Sequence, residues 1–425
     1  MTDQDLTEDI EAALKSLSLD SSTTPLNPQA IQTLATASRQ SPAIRQQLSD
    51  PSILKTLIET IETSLISDLQ TTDLALRCLA NASIDNDSAR ENISTLGFSW
   101  ALQALSSDDA TIQILTTKVL NNICCDHEGA QKACYKDRVH YALLRFLDSK
   151  VAREMPMVNK LAGDLDGAVD VLFWVSGQKA ALEEKLAEPL PRDVLSGVLG
   201  LYELWTEDWD VETFATLSET MLVWLRDEVV QKQVIEEHRF AGVWRLLERQ
   251  EGVIEELRRA QRQVDEDGAR PLPPYCETGE PEEDQKLLVP LQASLVWCLS
   301  DIAAQPAFSK EYSWSGEEMQ FLIHTIQAAG DSARDQRRSL YPAEYANMSA
   351  TGQNFNAACQ ILGNLLWAQQ QPQDYASLVK QVELYKDLID IIALSAFSTT
   401  FPDALHSIAG LLVQLSRPSI EAPKA

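Results

Sequence analysis

The sequence lacks the signatures that announce an enzyme. Its 425 residues contain no G-x-x-x-x-G-K-[ST], no G-x-G-x-x-G after a strand, no H-E-x-x-H and no G-x-S-x-G. Those absences remove the P-loop, the dinucleotide fingerprint, the zinc-peptidase helix and the hydrolase elbow. None of the five histidines, at 127, 140, 238, 324 and 406, sits at metal-ligand spacing from another His or Cys. No catalytic residue, metal or cofactor is expected. Bases are also scarce: 35 Lys+Arg against 63 Asp+Glu leave a net charge of −28. Phosphate binding is driven by cationic side chains, so nucleic acid is excluded as the main partner. A basic partner fits instead, and self-repulsion at this charge favours a monomer.

Other absences narrow the class. Sixteen glycines and 18 prolines are too few for a fibrous or low-complexity chain. Seven cysteines, an odd number without a C-x-x-C pair, give no disulfide framework and suit a reducing cytoplasm or nucleus. Cys124 and Cys125 lie near His127, but Cys124 follows Ile123 on an apolar helix face, where cysteine is a small core hydrophobe. The start, MTDQDLTEDIEAALKSL, is acidic and lacks a secretory n-region and apolar run. No uncharged apolar run approaches the length of a membrane span, so no direct membrane insertion is expected.

What is abundant is helical periodicity. Leu74, Leu76, Leu79 and Ala80, then Ile93, Leu96, Ala101, Leu102 and Leu105, recur at threes and fours, the spacing of a helix with one apolar face. Turn punctuation at Asp85-Asn86-Asp87, Ser106-Ser107-Asp108-Asp109, Gly129 and Pro156 predicts short helices of about 10–16 residues. The helices also repeat. Leu79-Ala80-Asn81-Ala82-Ser83-Ile84-Asp85 aligns with Leu120-Asn121-Asn122-Ile123-Cys124-Cys125-Asp126, and 122 − 81 and 126 − 85 both give 41. Weaker copies place Asp301 and Asn364 at the position of Asn81.

That period predicts an all-α armadillo/HEAT-type right-handed superhelical solenoid of roughly seven or eight repeats. The expected organisation is a short helix and tether over 1–25, a solenoid over 26–416 and a flexible end at 417–425. Within the solenoid, 263–286 reads as an acidic, proline-rich loop and 332–350 as an insertion.

Two uses compete for the repeated amides at Asn81 and Asn122, with Asp301 and Asn364. They could line a groove and bond a ligand's backbone, or tie down neighbouring repeats. Asp85 and Asp126 follow one turn later, where a carboxylate opposes the helix dipole. They would either cap the next helix or form an acidic rim. Around Trp205 and Trp209, the run Glu203, Glu207, Asp208, Asp210 and Glu212 contains no base. It is either a solvated turn or a landing site for Lys/Arg side chains. Trp205, Trp209, Trp224 and Trp244 are expected to pack between helices. Trp297 stands four before Asp301, but Arg77, Lys118 and Gln360 occupy that offset elsewhere, so no tryptophan array is present.

One resemblance is specific. Leu120-Asn121-Asn122-Ile123-Cys124-Cys125-Asp126-His127-Glu128-Gly129 resembles a repeat of the SmgGDS family, armadillo proteins that stimulate GDP dissociation from small GTPases. Leu79 to Asp87 is similar to a second such repeat, and Ile10 to Leu17 to that family's short N-terminal helix. The likeness is clear over residues 74–147. It implies a Rho- or Rap-like GTPase partner with a polybasic, prenylated tail, whose body meets a concave polar groove and whose tail meets acidic surface. It also implies GDP release or chaperoning through binding alone, resting mainly on Asn81, Asp85, Asn122 and Asp126. A non-catalytic adaptor or transport receptor for extended basic peptides is the alternative. By position, residues 1–150 hold 20 acids and 12 bases, a balance of −8, so the remainder carries −20. Body and tail contacts would then fall on different parts of the solenoid.

Overall fold

The computed structural model describes residues 3–18, 28–149, 162–204, 210–267, 281–313, 316, 319–338, 352–369, 375–392 and 402–421. Every regular element among them is helical. The chain divides into two compact units, Met1–Lys185 with Pro191–Trp209, and Leu186–Leu190 with Asp210–Ala425.

The first unit opens with α1 (Asp3–Ser18), α2 (Pro28–Gln40), α3 (Pro42–Leu48), α4 (Pro51–Ser64) and α5 (Leu69–Ser83). It continues through α6 (Asp87–Leu96), α7 (Ser99–Leu105), α8 (Ala110–Cys124) and α9 (Glu128–Lys136). It closes with α10 (Val139–Asp148), α11 (Ala162–Ala181) and α12 (Arg192–Leu204). From α3 to α11 the helices come in threes. The third helices stack as one row, α2 on α5, α5 on α8 and α8 on α11. The second helices form another, α4 on α7, α7 on α10 and α10 on α12. This is the helical-repeat architecture of armadillo and HEAT proteins, in which each repeat buries its apolar face on the next.

Local chemistry explains where these helices begin. Asp50, Asp68 and Asp109 are N-caps, their carboxylates accepting from the backbone N–H of Ser52, Thr71 and Thr111, which satisfies donors that the first helical turn leaves orphaned. Bonds from the Ser52 and Thr71 hydroxyls hold the Asp50 and Asp68 carboxyls below the usual range. Part of the acidic excess is thus capping chemistry. Between the rows, Leu54, Leu57, Ile61, Leu76, Leu79, Trp100, Leu120 and Leu143 are fully buried. At Gly197 the approach is closest: a Cβ there would lie 2.8 Å from the carbonyl oxygen of Leu144. Only glycine lets α12 seat on α10 in this way.

The second unit holds α13 (Val211–Leu225), α14 (Glu228–Glu236), α15 (Phe240–Asp267), α16 (Pro281–Ala304) and α17 (Phe308–Glu311). It ends with α18 (Gln320–Arg338), α19 (Gly352–Gln369), α20 (Tyr375–Ile392) and α21 (Pro402–Glu421). Its row runs α13 on α16, α16 on α19 and α19 on α21, while α18 packs on α20. Here the helices exceed the expected short length, α15 reaching 28 residues and α16 24. The expected loop 263–286 is helical at both ends, because α15 continues to Asp267 and α16 starts at Pro281. Similarly, α18 runs to Arg338 and α21 to Glu421, while 339–351 and the tether 19–27 lie outside the described residues. Among the described residues, α16 alone is long and apolar enough to cross a membrane. Its Leu288, Leu295, Leu299 and Ile302 are buried within the unit.

Candidate partner-binding surface

The repeated amides sit on the row of third helices, and each reaches into the repeat before it. Asn81 Nδ2 donates to the Ala35 carbonyl at 3.1 Å and to Ser38 Oγ at 3.0 Å. Asn122 Nδ2 donates to the Ala80 carbonyl at 3.1 Å. Asn364 Nδ2 donates to the carbonyl and hydroxyl of Ser300, at 3.1 and 3.3 Å. The register is the same for Asn122 and Asn364, since Ala80 and Ser300 directly precede Asn81 and Asp301. Ala80 lies in the last turn of α5, where carbonyls lack an intrahelical donor, so Asn122 satisfies an otherwise orphaned acceptor. The amide donors therefore tie neighbouring repeats together. All three residues are only half-buried, and their Oδ1 atoms accept no hydrogen bond among the described residues. One edge of each amide remains for a partner.

Further amides do the same work unnoticed in the sequence. Asn92 donates to the Ser49 carbonyl at 3.0 Å, Asn121 to that of Gly167 at 3.4 Å, and Gln178 to Gln131 at 3.0 Å. Their sequence separations of 43, 46 and 47 fall within the armadillo period.

Asp85 and Asp126 prove to be neither helix interior nor cap. Both adopt left-handed backbone, φ 49° and 53°, in the turn between a third helix and the next first helix. The caps are their successors: Asn86 accepts from Ala89 N–H at 3.3 Å, and His127 Nδ1 accepts from Ala130 N–H at 3.0 Å. Of the two alternatives for Asp85 and Asp126, capping of the next helix falls instead to the residue that follows each. Asp tolerates this backbone better than most side chains. Both carboxylates are exposed, and the two turns lie one repeat apart in the first unit, so they form a repeated acidic edge beside Asn81 and Asn122.

Three members of the acidic run are described. Glu203 is exposed on α12 and accepts from the Tyr202 hydroxyl at 3.2 Å. Asp210 caps α13, accepting from Thr213 N–H at 2.6 Å, while Glu212 is exposed on its first turn. Glu207, Asp208, Trp205 and Trp209 lie outside the described residues. Of the tryptophans expected to pack, Trp224 and Trp244 are buried. By contrast, Trp297 is 69% exposed and Trp367 57%.

Asp301 is exposed and lines a cleft of about 780 Å³ in the second unit. Its other walls include Ala187, Pro189, Arg226, Glu228, Lys232 and Gln305. Next to it, the stretch Leu186–Leu190 is held by its main chain. Leu186 N–H donates to Asp227 Oδ2 at 3.1 Å. Gln233 accepts from Leu190 N–H at 2.9 Å and donates to its carbonyl at 2.8 Å.

Buried thiols among the described residues are held away from the thiolate form. Cys124 and Cys134 are buried with sulfurs 3.6 Å apart, and burial pushes the Cys134 thiol well above its ordinary range. Burial likewise lifts Cys78 to about 12. A reactive cysteine needs the opposite, a thiolate in accessible, electropositive surroundings. Among the described residues no His/Cys/Asp/Glu group could hold a metal ion. What the arrangement offers is an amide- and carboxylate-bearing surface on a rigid stack, suited to recognition.

One family model matches part of this chain, and several solved structures resemble it at low identity. Solved structures that it resembles include an engineered protein, 16% identical with a TM-score of 0.40, the match covering 68% of this chain and 97% of that one. A second engineered protein is 16% identical over 96% of this chain and 99% of its own, with a TM-score of 0.39. A third comes from work on the phosphorylation switch that controls the interaction between cadherin and β-catenin. It is 13% identical, with a TM-score of 0.38, over 99% of this chain and 85% of its own. None of these likenesses speaks to partner or activity. No curated protein matches the chain. Residues 4–165, which carry α1 to α10 and the acidic edge, match the BEM4-like family model, described as the BEM4 N-terminal domain.

Proposed function

We propose that this chain is a partner-binding helical-repeat scaffold whose partner is a small GTPase with a polybasic C-terminal tail. Through that binding it promotes GDP release or chaperones the GTPase. One observation supports this most: Asp85 and Asp126 present exposed carboxylates at equivalent turns of successive repeats, beside half-buried amides with a free acceptor edge. A basic GTPase surface meets that edge by charge-assisted hydrogen bonds. The SmgGDS resemblance of residues 74–147 supports the choice of partner. No catalytic side chain is needed for exchange. A protein that binds the nucleotide-free state more tightly than the GDP state weakens GDP binding by the same factor. Release of a fluorescent GDP analogue from a panel of polybasic GTPases, with and without the chain, tests the proposal. Faster release from at least one supports it, and no acceleration for any, with no complex formed, refutes it.

An adaptor role for extended basic peptides rests on a different observation, the grip of Asp227 and Gln233 on the main chain of Leu186–Leu190.

A further inference from the structure

We infer that Cys124 and Cys134 form a reversible dithiol–disulfide switch that fastens the turn carrying Asp126. The inference goes beyond the proposed function and holds whichever partner the acidic edge meets. Two observations lead to it, and a third sets its chemistry.

First, the two sulfurs already face each other. Cys124 ends α8, Cys134 lies on α9, and their Sγ atoms are 3.6 Å apart. A disulfide needs them about 1.5 Å closer. The two helices are already tied beside the pair. Gln131 on α9 donates to the Cys124 carbonyl at 2.9 Å and accepts from Gln178 on α11 at 3.0 Å. Other buried thiols are used differently: Cys78 donates to the Ile31 carbonyl at 3.7 Å and Cys298 to that of Leu225 at 3.2 Å.

Second, the bond would enclose the acidic turn. The two cysteines are ten positions apart, and Cys125, Asp126 and His127 run between them. Asp126 holds its left-handed backbone there, and His127 caps α9 through Ala130 N–H. A covalent link across the base of this loop removes open conformations from it.

Third, burial sets when the bond forms. Both sulfurs are fully buried, and burial lifts the Cys134 thiol well above its ordinary range. The thiolate is the attacking species, so the reaction is slow and needs a small oxidant, a hydroperoxide, over sustained exposure. One thiolate attacks a peroxide oxygen and the O–O bond breaks, leaving a sulfenic acid and, after protonation, water. The second thiol displaces the sulfenic hydroxyl as a further water and closes the S–S bond. The sulfurs lose two electrons in all, and one hydrogen peroxide becomes two waters. A dithiol reductant reverses the bond by exchange.

The test incubates the full chain with hydrogen peroxide and then blocks the remaining thiols. Monomer from a non-reducing gel is digested with trypsin and read by mass spectrometry. Cleavage after Lys118, Lys132 and Lys136 puts Cys124 on fragment 119–132 and Cys134 on fragment 133–136. Cys125→Ser, at a half-buried position, leaves Cys124 as the one cysteine of its fragment and so decides the pairing. Wild type and Cys125→Ser should both give the two fragments joined, two hydrogens lighter than their sum and released by dithiothreitol. Backbone hydrogen exchange over 125–130 should slow by at least roughly fivefold in the linked chain. Absence of the joined fragments from Cys125→Ser, or exchange that is unchanged in the linked chain, overturns the inference.

Discussion

Replacing Asn122 by alanine isolates the link between two repeats. The substitution removes a 3.1 Å bond from Nδ2 to the Ala80 carbonyl. A typical hydrogen bond contributes about 1 kcal/mol net, and a buried acceptor left unsatisfied adds about 1–3 kcal/mol. Asn122 is half-buried, so water can reach part of the site, and the expected loss is about 1–2 kcal/mol. For a unit of roughly 200 residues, each kcal/mol lowers Tm by about 2–4 °C, giving a drop of about 2–8 °C. Asn122→Asp is the sharper variant. It keeps the shape, removes the donor and sets a carboxylate against a carbonyl oxygen, so it should destabilise at least as much as alanine. Thermal melts followed by circular dichroism, with urea titrations as a second measure, read both. If Asn122→Ala melts within about 1 °C of wild type, the amide is not holding the repeats and its role belongs wholly to a partner.

Two further perturbations follow from the geometry. Asp126 has φ 53°, so Asp126→Ala should cost about 1 kcal/mol through left-handed strain while Asp126→Gly does not, as urea midpoints will show. Equal destabilisation by both would mean that the side chain makes a contact that holds the fold. Glu251 is buried, receives a 2.5 Å bond from Gln292 Nε2 and has its carboxyl raised to about 7, chiefly by burial. Its folded pKa exceeds the ordinary 4.5, so the folded state holds the extra proton. The associated stability is fully present below pH 4.5 and is lost as pH rises through about 7. Glu251→Gln, which keeps an acceptor for Gln292, should therefore stabilise the chain at pH 8 on the order of 2–3 kcal/mol and have little effect at pH 4. A stability difference that does not change between those pH values would contradict this.

The repeat was legible in the sequence because its apolar spacing and its amide position recur together. Asn81 and Asn122 could be aligned by eye, and the structure sets both in one row. Their bonding partners could not be read, since the acceptors are backbone carbonyls at Ala35 and Ala80, and a carbonyl has no signature in sequence. The role of Asp85 stayed open between two uses for a related reason. Whether a residue caps a helix or turns left-handed before the cap depends on where the preceding helix stops, and Asp suits both. The long helices were hidden by punctuation: α16 carries Pro290 in its interior, and the prolines and acids of 263–286 suggested a loop where helix persists at both ends. The cleft at Asp301 gave no signal, because Leu186–Leu190 and Asp301 are far apart in sequence. Only the exposure of Trp297 distinguishes it from the packed tryptophans.

The central claim is that the amides hold the repeats while the neighbouring carboxylates meet the partner. Its most direct test is the affinity of the Asp85→Asn/Asp126→Asn variant for a polybasic small GTPase, measured by titration calorimetry beside its melting temperature. Asparagine tolerates the left-handed turn as aspartate does, so the substitution removes charge and leaves the backbone as it is. The account predicts an unchanged melt and an affinity at least roughly tenfold weaker, the loss expected for two charge-assisted bonds. Wild-type affinity in the variant would contradict it.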